Sequence, residues 1–280
     1  MPRQGSKGTS MTSHSHTLPA LGLCLALGLG TACGDDTADE TATAETAIDE
    51  TTADSGLDGT ITVFAAASLT DAFTEAADAF SEENPGVTVE LNVGASTALR
   101  EQILAGAPAD VFASANPSNM DQVIEAGEVE GEPELFAHNS LEIAVPAGNP
   151  ADVEGLADFA DDRLLIGLCA ADVPCGEYGR QALDQAGVTP AQDTDEPDVR
   201  SLLTKIEAGE LDAGIVYRTD VASTDGVDGI EIAEEDNVVA DYPIAVLANA
   251  GEPDIAAAFV EFALSDDGQA ILESHGFDPA

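Results

Sequence analysis

Only four histidines and four cysteines are spread over the 280 residues, and where they fall decides most of the covalent and acid–base chemistry open to the chain. His14 and His16 lie in an N-terminal leader. His138 stands beside Asn139 in an expected turn, His275 stands in an expected C-terminal helix, and neither belongs to a metal-ligand spacing. Downstream of the leader there is no HExxH, GxSxG, phosphate-binding loop or GxGxxG. General acid–base catalysis needs a partnered base in an enclosed site. Nothing in the sequence supplies either, so the chain reads as a non-enzyme without a cofactor, with a cell-surface enzyme as the remote alternative. Cys169 and Cys175 form a C-x5-C pair with no third or fourth metal ligand following. In an exported protein such a pair is expected to close a disulfide, here around the loop 170–174.

Two other segments carry a different chemistry. Ala67-Ser68-Leu69-Thr70 follows an apolar run at 61–66, and Gly94-Ala95-Ser96-Thr97 follows a run at 87–93. Each brings a hydroxyl and the free N–H groups of a helix start to the carboxyl edge of a strand, where open α/β sheets bind ligands and where helix N-termini favour anions. Taken singly, each serine reads as a plain helix N-cap ahead of a ligand. Two of them on neighbouring strands point toward an anion site without settling it.

The elements that would position these residues alternate along the chain. ITVFAA (61–66), VTVELNV (87–93) and 111–114 read as strands, and 70–80, 96–105 and 120–126 read as helices between and after them. Such a β-α-β-α-β-α series argues for a parallel sheet covered by helices. Further strands are expected at 141–145, 164–168, 213–217 and 242–247, and helices at 178–186, 199–208, 255–264 and 268–275. The fold class is α/β, and two lobes with a crossover near 140 and a return near 243 fit the pattern. Residues 59–139 with 245–280 would form one lobe and 140–244 the other.

Before Gly59 the chain is not expected to fold. Arg3 and Lys7 precede the apolar run 18–29, and Gly30, Thr31 and Ala32 precede Cys33. That order is the signature of a secretory signal peptide over residues 1–32, too short to span a bilayer. Small residues before a cysteine resemble a lipobox, which makes Cys33 a lipidation candidate, although Gly30 stands where leucine is usual. Residues 33–58 are rich in Asp, Glu, Thr and Ala and lack aromatic residues, so an extended acidic tether is expected. The chain holds 8 basic against 54 acidic residues. Loss of the leader removes Arg3 and Lys7 and no acid, which deepens the formal charge from −46 to −48. A polyanion of this kind is not a nucleic-acid or anionic-lipid binder.

ITVFAAASLTDAF (61–73) and VGASTALREQILAGAPADVFASA (93–115) resemble the N-terminal motifs of periplasmic molybdate-binding proteins of ABC importers. The likeness continues through HNSLEIAVP (138–146), VPCGEYGRQAL (173–183), DVRSLL (198–203), LDAGIVYRTD (211–220) and YPIAVL (242–247). The resemblance implies a two-lobed type II binding-protein fold, each lobe a mostly parallel sheet flanked by helices. It implies molybdate or tungstate held in the cleft between the lobes, and permease subunits of an importer as partners. By motif, the oxyanion ligands fall on the hydroxyls of Ser68, Ser96 and Tyr217 and on the backbone N–H groups of Cys175 and Val199. All five donors are neutral and none is a carboxylate, so a fully ionised anion is preferred over one bearing a proton. A receptor for sulfate or another oxyanion is the nearest alternative. A monomer tethered outside the cytoplasm by lipid is the expected form. Arg200 and Arg218, close to the site in sequence, are expected to pair with surface acids rather than with ligand.

Overall fold

The computed structural model describes residues 56–280; the leader, Cys33 and residues 33–55 of the expected tether lie outside them. Leu57 already packs against the core, two residues before the first strand.

The strands are β1 (Gly59–Ala66), β2 (Val87–Gly94), β3 (Val111–Ala113), β4 (Glu134–Pro146), β5 (Ile166–Cys169), β6 (Thr194–Glu196), β7 (Ala213–Tyr217), β8 (Val227–Glu231) and β9 (Val239–Val246). The α-helices are α1 (Thr70–Glu83), α2 (Ser96–Leu104), α3 (Pro117–Glu125), α4 (Pro174–Gln185), α5 (Val199–Glu207), α6 (Arg218–Ala222), α7 (Pro253–Leu264) and α8 (Asp266–Ser274). The strands form one curled sheet in the order β2-β1-β3-β9-β4-β7-β5-β6, with β8 pairing to β4 off that path. β1 pairs parallel with β2 and β3, and β5 pairs parallel with β6 and β7. Two three-stranded parallel halves are thus joined by the antiparallel pair β9–β4. β4 changes partner along its length: 134–140 pair with β9, and 141–146 with β7 and β8.

Sequence periodicity explains which face each element buries. In α1, Phe73, Ala76, Ala77 and Phe80 recur at helical spacing and are buried, while Asp71 stands in the first turn, where the helix dipole favours a carboxylate. Phe73 and Phe80 meet Phe259 of α7 at ring-centroid distances of 6.0 and 5.4 Å, edge to face. β1 and β7 are covered on both faces, and their runs ITVFAA and AGIVY are correspondingly almost unbroken by polar residues.

His138 and Asn139 do not form a turn. They lie inside β4, and the His138 N–H and C=O both pair with Asp278 at 2.8 and 3.0 Å. A polar doublet survives there because Asn139, 1% exposed, has its side-chain amide fully engaged: it accepts from the Ser140 N–H and donates to Thr219 and Tyr242.

A candidate oxyanion site at six strand ends

Each of the six parallel strands ends at one cavity. β1 delivers Ala66, Ala67 and Ser68, β2 delivers Ala95 and Ser96, and β3 delivers Ala115. From the other half, β5 leads to Val173–Cys175, β6 to Asp198 and Val199, and β7 ends in Tyr217. All five residues expected to hold an anion line it together. Small residues at 66, 67, 95 and 115 let the backbone approach the centre closely. The space is about 20 Å³, counted as room for the centre of a water-sized atom. A single water needs ~10–15 Å³ on that measure, and pockets for organic ligands run to ~300–1,000 Å³. The cavity therefore suits one small polyatomic ion better than an organic ligand.

Neither serine is spent on capping. Ser68 sits within a 3₁₀ turn (Ala67–Leu69), and Ser96 is the first residue of α2, whose N-cap is Ala95; no side chain caps either element. Ser96 Oγ instead accepts the Ala115 N–H at 3.0 Å, and Ser68 Oγ shares a 2.8 Å hydrogen bond with the Tyr242 hydroxyl. Tyr217 is 1% exposed, and its hydroxyl finds no partner within hydrogen-bonding geometry among the described residues. Burial first, and then the neighbouring Tyr242, Tyr178 and Asp220, push that hydroxyl's pKa well above its ordinary value, so it stays a proton donor. The N–H groups of Cys175 and Val199 belong to the first turns of α4 and α5, where no carbonyl four residues back can receive them. The N-termini of α2, α4 and α5 all lie at the cavity and add their positive dipole ends.

Asp198 is the only ionisable carboxylate among the lining residues. It is the N-cap of α5, with its Oδ1 accepting the Ser201 N–H at 2.8 Å. Its charge is thereby tied to the helix start, and the same bond holds Val199 in place. Cys169 and Cys175 are joined by a disulfide. Arg180 braces that loop by donating to the Cys169 carbonyl at 2.6 Å and the Gly176 carbonyl at 3.2 Å while pairing with Asp195. Arg200 and Arg218 point away from the cavity centre, the first to Asp71 and Asp220 and the second to Asp278 and the Gly276 carbonyl.

Polar contacts also cross between the two halves. Thr97 Oγ1 donates to the Asp172 carbonyl at 2.7 Å, Asn116 Nδ2 donates to Glu177 at 2.9 Å, and Arg200 pairs with Asp71. The sequence anticipates acid partners for Arg200; the roles of Thr97, Asn116, Asp172 and Glu177 here, and of Tyr242 and Asn139 behind Ser68, escape it. A tyrosine heading the apolar run 242–247 is the one signal that points to Tyr242.

A family model described as bacterial extracellular solute-binding protein matches residues 61–278. The molybdate-binding protein ModA of Mycobacterium tuberculosis is 39% identical over 218 residues, covering 78% of this chain and 84% of that protein. Among solved structures, the substrate-binding domain of a putative molybdenum ABC transporter from Clostridium difficile superposes with a TM-score of 0.61 at 27% identity, over 79% of this chain and 99% of that one. The sulfate-binding protein SubI of Mycobacterium tuberculosis superposes at 0.71 with 19% identity, over 79% and 87% of the two chains, a likeness of fold alone.

Proposed function

The chain belongs to the bacterial extracellular solute-binding protein family, and from that premise we propose that it captures molybdate, or the near-isosteric tungstate, and delivers it to the permease of an ABC importer. The observation that carries this reading is the Tyr217 hydroxyl, fully buried and unpartnered beside a cavity sized for one small ion. An orphaned buried hydroxyl costs about 1–3 kcal/mol, a cost that a ligand oxygen removes. Ser68, Ser96, the Cys175 N–H and the Val199 N–H complete a set of neutral donors. Each charge-assisted hydrogen bond contributes roughly 1.5–3 kcal/mol once water is excluded. With no carboxylate among the five proposed ligand residues, the fully ionised tetrahedral anion is favoured. Residues 59–139 with 245–280 act as one lobe and 140–244 as the other, closing on the anion.

Calorimetric titration of the chain from Asp35 onward with molybdate, tungstate, sulfate and phosphate tests the reading. About one molybdate or tungstate per chain, with sulfate much weaker, is the expected result. Sulfate binding more tightly reassigns the ligand, and no saturable oxyanion binding overturns the function. The same reading has Cys33 carrying a lipid and the chain acting as a monomer; the intact mass of the exported protein reads the first and its sedimentation the second.

Tyr217→Phe separates stability from binding. Removing an unsatisfied hydroxyl leaves the ligand-free protein as stable as before or slightly more so. Molybdate affinity falls by about tenfold or more, the weight of one charge-assisted hydrogen bond. Thermal unfolding and titration on the same samples would show the two effects with opposite signs. A variant that loses both together would mean that the hydroxyl is structural.

A further inference from the structure

Behind Ser68 lies a buried polar relay in which every proton has one available direction. Asn139 Oδ1 accepts the Ser140 N–H at 3.0 Å, which fixes the orientation of its amide. Its Nδ2 therefore faces Thr219 Oγ1 at 2.9 Å and, at a longer 3.4 Å, the Tyr242 hydroxyl. An amide nitrogen only donates, so Tyr242 Oη is the acceptor of that contact. The Tyr217 hydroxyl lies outside hydrogen-bonding geometry to every described group, Tyr242 included. The proton of Tyr242 is then left with Ser68 Oγ, 2.8 Å away. Tyr242 is fully buried, so water does not compete for its proton.

We propose that Asn139 and Tyr242 are positioning and specificity-determining residues: they make Ser68 Oγ an acceptor toward the protein, so that its own proton must be offered to the ligand. The proposal rests on the oxyanion-receptor reading. Ser96 is set the same way by a backbone donor, the Ala115 N–H. Both serines thus present protons to the cavity. To accept from a ligand hydroxyl, either would have to leave its own proton without a partner. Anions that carry a proton at neutral pH, hydrogen phosphate foremost, are rejected by the direction of these bonds.

The test is a double-mutant cycle read by molybdate titration. Tyr242→Phe alone is expected to weaken molybdate binding by about tenfold. In a Ser68→Ala background the same change should weaken it by under about twofold, because its effect runs through the serine hydroxyl. Phosphate, ineffective against the unaltered chain, should compete with molybdate in Tyr242→Phe. Equal losses in the two backgrounds would overturn the positioning role, and continued failure of phosphate to compete would overturn the specificity role. A variant that does not fold leaves a direct measurement on the unaltered chain. The slowly exchanging Tyr242 hydroxyl proton should show nuclear Overhauser contacts to the Ser68 β-protons, and contacts to the Asn139 side chain in their place would refute the relay. An unaltered chain that binds no oxyanion refutes the receptor reading instead, and the proton's location still decides the relay.

Discussion

Replacing Gly176 with alanine should abolish high-affinity anion binding and destabilise the fold. A Cβ at this position would lie 1.8 Å from the Ala170 carbonyl oxygen, 2.6 Å from its carbon and 2.7 Å from the Cys169 oxygen. All three are backbone atoms, and none can swing aside as a side chain could. The Cys169 end of the loop is held by β5, by the disulfide and by the Arg180 guanidinium. Relief must therefore come from the first turn of α4, which carries the Cys175 N–H into the cavity. Overpacking of a rigid site of this kind costs roughly 3 kcal/mol or more, and displacing that donor and its neighbours lowers molybdate affinity by about a hundredfold. Gly179→Ala, one turn further along α4, is the matched control. Its Cβ would meet only the Ile215 side chain at 3.5 Å, an ordinary contact, and alanine favours a helix over glycine by about 1 kcal/mol. Urea unfolding and titration of both variants check the pair; near-normal behaviour of Gly176→Ala would show that the loop yields where the geometry says it cannot.

Asp220 carries the second large effect. It is wholly buried: one carboxylate oxygen accepts the Tyr217 N–H at 3.1 Å and the other lies 3.3 Å from Arg200 Nε. Asp220→Ala orphans that N–H and strips the buried partner from Arg200, and breaking a buried pair costs about 3–5 kcal/mol. The lower end of that range is expected, since Arg200 keeps Asp71 and Ser223 and is partly exposed. Asp220→Asn keeps shape and an acceptor, and isolates the charge. Burial pushes the Asp220 carboxyl up from 3.8 to about 7, against the opposing pull of Arg200 and the Tyr217 N–H. The folded state therefore holds this proton more tightly than the unfolded chain does. The stability contributed by this group is fully present below about pH 4 and is lost as the pH rises to about 7. Relative to the unaltered chain, Asp220→Asn should accordingly gain stability with rising pH across that window. Unfolding midpoints of the two proteins at closely spaced pH values provide the check, and a flat difference would mean that Asp220 titrates as an exposed carboxylate does.

What the sequence disclosed follows from how local its signals are. The strands β1, β2, β3, β5, β7, β9 and the second half of β4 announced themselves as apolar or alternating runs; Ser68 and Ser96 stood just after two of them, while Cys175, Val199 and Tyr217 came from the resemblance to molybdate-binding proteins. β6 and β8 did not, because TDE and VDGIE lie where burial demands little: most of their residues are half-buried or exposed. Helix α6 is only five residues long and starts directly from Tyr217, too short for any periodicity to show. Asn139 read as a turn residue because its compensating partners, Thr219 and Tyr242, are 80 and 103 positions away. The bond between Ser68 and Tyr242 spans 174 positions and that between Arg200 and Asp71 spans 129. Contacts of that range leave no trace in a window of neighbouring residues.

The aromatic packing of α1 against α7 also fixes an order of assembly. Phe73 and Phe80 come early in the chain, while Phe259 and Phe262, which close over them, come near its end. The strands β5, β6 and β7 with α4 and α5 are contiguous in sequence and need no such delayed partner. A chain made from its N-terminus onward holds Phe80 without its aromatic partners until almost the last helix is released, and closing contacts so distant in sequence is slow. The half that is written first is the half completed last.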